Sequence, residues 1–126
     1  MVTESEFAGK WKLVEAVDMV EDDLGPSPDS YLLIQVNEKN VVTGSYQFGS
    51  QDGYIDGRFE SDNESMTLIF SFEGWDEADL VNGSGTFGVE SGDTFLFTMI
   101  HENGDTFSFR CRKIDEKLEI LMPVLT

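Results

Sequence analysis

The chain has 126 residues, and 25 Asp and Glu against 8 Lys and Arg give it a formal net charge of −17. That length predicts one domain over 1–126, while 10 Phe and 40% hydrophobic residues are too many for a disordered acidic tail. So negative a surface repels phosphate backbones and anionic headgroups, which argues against nucleic acid and membrane surfaces as partners. No apolar run reaches the ~18 residues of a membrane helix, and the start, Met1-Val2-Thr3-Glu4, is acidic rather than basic. A cytoplasmic setting is expected, in line with a single cysteine, Cys111, that has no second thiol for an internal disulfide.

Thr3-Glu4-Ser5-Glu6 has capping-box spacing and predicts one helical turn. From there the hydrophobic period is two almost everywhere. The first strand, 9–18, turns Trp11, Leu13 and Glu15 inward. The acidic stretch 18–29, with Gly25, Pro26 and Pro28, reads as a long loop. Strands follow near 30–36, 40–48 and 53–60, separated by the turn residues Asn37 to Asn40 and Gln51-Asp52-Gly53. Over 65–73, Met66, Leu68, Phe70 and Phe72 share one face while Thr67, Ser71 and Glu73 share the other, the signature of a half-buried strand. A second acidic loop is expected over 74–82, then strands near 82–89, 94–101 and 105–113 with Asn/Asp/Gly turns between them. In the last of these Phe107, Phe109 and Cys111 point inward and Arg110 and Arg112 outward. Lys117 to Met122 reads as a short extra strand ended by Pro123.

Eight strands joined in sequence predict an all-β fold, an eight-stranded antiparallel up-and-down β-barrel with a short N-terminal helical turn. The segment Phe7-Ala8-Gly9-Lys10-Trp11-Lys12-Leu13 resembles the opening of fatty-acid-binding proteins, and its Gly-x-Trp is shared by the wider calycin group that includes lipocalins and avidins. The 18–29 loop has no counterpart to the helix pair of fatty-acid-binding proteins. Val42-Thr43-Gly44-Ser45-Tyr46 and Asp56-Gly57-Arg58-Phe59 resemble avidin strands. The resemblance implies that Trp11 plugs one barrel end and that Arg110 or Arg112 lies across its ring as a cation–π cover. It also sets Tyr46 where avidins touch biotin, but Leu13 and Phe72 replace the polar and indole contacts, so biotin is not the expected ligand. Arg110-Cys111-Arg112 meets the fatty-acid clamp Arg-x-Tyr with the wrong parity, and the −17 field disfavours a carboxylate headgroup.

The expected function is therefore binding of a small apolar ligand in a Phe-rich interior. Phe70, Phe72, Phe97 and Phe109 would form the walls, Tyr46 would orient the ligand, and Glu15 would lie at the mouth. The alternative is a filled barrel that engages a basic protein through its acidic loops. A cavity above ~300 Å³ opposite Trp11 favours the first reading and closure by phenylalanines the second. His101, the one histidine, is expected on an exposed turn without companion metal ligands, and Cys111 is expected buried and inert. No cofactor, metal or catalytic constellation is read, and no enzyme activity is expected. Apolar outward positions Ile69, Leu96 and Ile100 leave monomer or homodimer open.

Overall fold

A computed structural model describes residues 4–17, 30–37, 40–62, 65–92 and 94–114. The expected loop over 18–29 and the extra strand over 117–122 lie outside them. One helical turn, α1 (Glu4–Phe7), precedes β1 (Gly9–Val17), β2 (Tyr31–Asn37), β3 (Val41–Phe48), β4 (Gln51–Asp62), β5 (Ser65–Asp76), β6 (Asp79–Ser91), β7 (Thr94–His101) and β8 (Thr106–Lys113). Each strand pairs antiparallel with the next, and β1 pairs with both β2 and β8, so the barrel is closed. No described helix is long and apolar enough to cross a membrane.

The barrel closes tightly because glycines stand beside its large rings. Phe70 faces Gly57 across β4 and Gly85 across β6. A Cβ at Gly85 would fall 2.6 Å from Phe70 Cζ and 2.0 Å from the Thr98 carbonyl oxygen. Gly53 and Gly74 are directly opposite each other, and the Tyr46 hydroxyl occupies the space that their side chains would need. The sheet thus coils round aromatic side chains with bare backbone next to them.

One end is sealed by Trp11, whose Nε1 donates to the Phe7 carbonyl at 2.9 Å, while the Phe7 ring packs edge-on against Phe59, Phe87 and Phe95. The cation over the indole is Lys113, 5.6 Å from the ring centroid, which also donates to the Glu6 carbonyl. This corrects the expectation that Arg110 or Arg112 covers it. Trp11 pairs with Lys113 in register, so the exposed residue that ends the inward row of β8 reaches the plug and the outward arginines do not. Gly9, at φ +124, leaves room that a Cβ would take from Lys113 Cε, and only glycine adopts that backbone without strain. These contacts account for the Gly-x-Trp spacing.

Two further expectations change. Glu15 does not point inward: a bulge between Leu13 and Glu15 shifts the register, so that Glu15 meets Arg110 on the outside at 3.1 Å and Ala16 faces the core. Arg110 is held from its other side by Glu90, 2.6 Å away beside the second bulge, between Val89 and Ser91. The inserted residue in β1 reverses parity, which period-two reading alone does not anticipate. The 74–82 segment is not a loop but a hairpin, with Trp75 opposite Leu80, Asp76 opposite Asp79 and Glu77 in a left-handed turn at φ 57. Tyr46 and Gly53 pack against Gly74, so the acidic strand ends stay in the sheet.

Candidate functional site

The interior is occupied by rings. Contacts run from Trp11 through Phe87, Phe97, Phe70 and Phe72, with successive centroids 5.0, 6.2, 5.6 and 6.5 Å apart. At the end opposite Trp11, Phe72, His101, Phe107, Phe48 and Tyr46 form a closed circuit with neighbouring centroids 4.9 to 6.0 Å apart. The structure thus brings the wall candidates Phe70, Phe72, Phe97 and Phe109 together with Tyr46 in one packed cluster. Glu15 stands apart from them on the outer surface.

His101 is not on an exposed turn; it is 5% exposed, and its Nε2 lies 3.0 Å from Gln51 Oε1. The amide oxygen accepts, so Nε2 carries the proton and Nδ1, which has no partner, is bare. Burial pushes its pKa down, against the opposing pull of the Asp105 and Asp76 charges. A histidine kept neutral by folding takes up its proton more readily when unfolded. The stability it contributes is therefore complete above its ordinary value of about 6.5 and is lost as pH falls from there toward the folded pKa. In chemical denaturation, His101→Gln should reduce the fall in stability below about pH 6.5; an unchanged pH profile would contradict the buried neutral ring.

The Tyr46 hydroxyl is also fully buried and has no partner. Burial, with Asp52 and Asp76 adding to it, raises its pKa far above the ordinary phenol value. A buried hydroxyl without a partner costs stability. Tyr46→Phe should accordingly raise the unfolding free energy by about 1 kcal/mol, and a loss of stability would show that something hydrogen-bonds this group. Cys111 is buried as expected, with its thiol pKa raised by desolvation.

The open space lies on the other side of the wall. A cleft of about 1200 Å³ is lined by Tyr31 and by 45–47, 52–56, 71–75, 82–84 and 100–102. It lies on the outer face of the curved sheet, because the exposed members of these runs are the outward ones. Register lays out the floor in rungs: Tyr31, Gln47, Asp52 and Trp75 form one, and Ser45, Tyr54, Glu73 and Asn82 the next. Tyr54 is 75% exposed and Trp75 52% exposed, whereas outward barrel positions facing water are ordinarily polar. Asp52, Asp56, Glu73 and Glu102 supply its charge, and no Lys or Arg lines it among the described residues. At its edge Lys10 Nζ lies 5.2 Å from the Tyr31 ring centroid, so an ammonium already sits over one of its aromatics.

Ile69, Leu96 and Ile100 are the apolar outward residues expected from the sequence; Tyr54 and Trp75 are not among them. Tyr54 has outward parity within a strand recognised in advance, and that was the available signal. Trp75 lay in the presumed loop, where parity has no meaning.

No family model, curated protein or solved structure matches this chain. The closed eight-stranded barrel and the Trp11 plug are consistent with a calycin-like fold, and the outer cleft is a feature of these particular residues.

Proposed function

We propose that this chain is a non-catalytic binding protein, a calycin-like barrel whose packed interior is scaffold and whose outer cleft across β3–β6 receives a cationic partner. The observation that carries this reading is the cleft lining, where carboxylates and exposed rings stand together without a basic residue among them. A cation there gains from the acidic field and from the ring faces together. The single imidazole is buried and tied to Gln51, which leaves little for general-base chemistry.

The test is binding of a basic polypeptide, polylysine, to the full chain over a salt series. Affinity should fall steeply with salt and drop several-fold in Asp52→Asn/Glu73→Gln; salt-independent binding, or no effect of the double substitution, would contradict the reading.

The unpartnered Tyr46 hydroxyl and His101 Nδ1 favour a second reading, a small ligand taken up at the ring-closed end. Its polar groups would satisfy both atoms after the circuit of rings opens. Titration with an apolar fluorophore decides between the two. Saturable binding that Tyr46→Phe alters supports an interior site, and the absence of saturation counts against it.

A further inference from the structure

Resting on the outer-cleft reading, a finer pattern in the same surface identifies what kind of cationic partner it suits. On one rung Asp52 of β4 faces Trp75 of β5, and on the next Tyr54 of β4 faces Glu73 of β5. Ring and acid exchange strands between the rungs, so each exposed ring has a carboxylate directly opposite it and another two residues along. A guanidinium uses both kinds of neighbour together, since its plane stacks on an aromatic face while its fork of N–H donors reaches a carboxylate. An ammonium is a compact, strongly hydrated charge that cannot present a flat face to a ring.

The rungs are two residues apart, or about 7 Å along the strand. An extended peptide lying along β4 places side chains i and i+2 on one side at this same spacing. The cleft's volume, about 1200 Å³, is above the range usual for drug-sized ligands, about 300–1,000 Å³, and it is open, which suits a length of chain better than an isolated small cation. We propose that the cleft recognises an extended basic segment of a partner protein through two arginines separated by one residue, one at the Asp52–Trp75 rung and one at the Tyr54–Glu73 rung.

The test uses short Ser/Gly peptides, titrated into the full chain at low salt with heat and Trp75 emission as readouts. Three carry two arginines that are adjacent, separated by one residue or separated by two; a fourth carries two lysines separated by one; spermine serves as the small-cation control. The one-residue arginine spacing should bind about fivefold more tightly than the others, and Trp75→Ala and Tyr54→Ala should each remove that preference while weaker salt-sensitive binding remains. Both side chains are exposed, so the variants keep the fold, and continued protection of the Cys111 thiol checks this. Equal binding of all four peptides, or a preference that survives both substitutions, overturns the arginine-spacing inference and leaves the cationic cleft standing. Spermine binding as tightly as the best peptide overturns it in favour of a small-cation site. Failure of every cation to bind overturns the cleft reading beneath it.

Discussion

Phe97→Ala should cost the barrel about 3–5 kcal/mol. Phe97 is fully buried in the middle of the ring chain, stacked on Phe70 at 5.6 Å and edge-on to Phe87 at 6.2 Å. Its neighbours are held by β-sheet backbone on both sides, paired with Phe87 and Phe109, so the wall has little freedom to collapse into the void. Domains of this size are stable by about 5–15 kcal/mol, so the variant should sit near the edge of folding. Chemical denaturation followed by emission of the buried Trp11 measures the loss. A cost under about 1.5 kcal/mol would mean that this ring borders open space rather than packed neighbours. The void should also make the variant bind a small apolar molecule such as benzene, which the unaltered chain should not.

Gly85→Val should be at least as damaging, about 3 kcal/mol or more. The first atom of any side chain there meets the Thr98 carbonyl oxygen at 2.0 Å and the tip of Phe70 at 2.6 Å. Since the first of these contacts is to backbone, relief requires the β6–β7 ladder to separate and not merely a side chain to rotate. Valine adds branching at that same carbon. Thermal melts of the variant should show a collapsed transition or none. A melt close to that of the parent chain would contradict the tight coiling of β5 and β6 around Phe70. By contrast Trp75→Ala, at an exposed outer position, should alter stability by no more than about 0.5 kcal/mol.

The contrast between these sites shows how far the sequence could be read. Alternation placed Leu68, Phe70, Phe72, Phe97 and Phe109 inward, because in a closed barrel the two sides of a strand differ in solvent and the side-chain period is two. It failed wherever that period is interrupted. The extra residue in β1 turned Glu15 out to Arg110. At the end of β8 the alternation holds, and it is the family resemblance, with its outward arginine cover, that gives way to Lys113, the residue of inward parity. Gly74, with acids around it, resembles loop composition, yet it stands opposite Gly53 and beside the Tyr46 hydroxyl, which needs the space a side chain would fill. His101 was read from its turn neighbours, whereas its own parity matched Phe95, Phe97 and Met99 and put it inside. The outer cleft depends on strand coiling and on which rungs come side by side. Those follow from cross-strand register, which one-dimensional spacing does not contain.

Backbone amide shifts distinguish the proposed ligand surface on the outside of the wall from the packed interior behind it, residue by residue. On titration with an arginine-rich peptide, the predicted result is that Ser45, Gln47, Asp52, Tyr54, Glu73 and Trp75 move together and saturate, while Phe97, Met99 and Cys111 stay in place. Shifts concentrated at Phe97 and Met99, or spread evenly over the acidic surface without saturating, would contradict it.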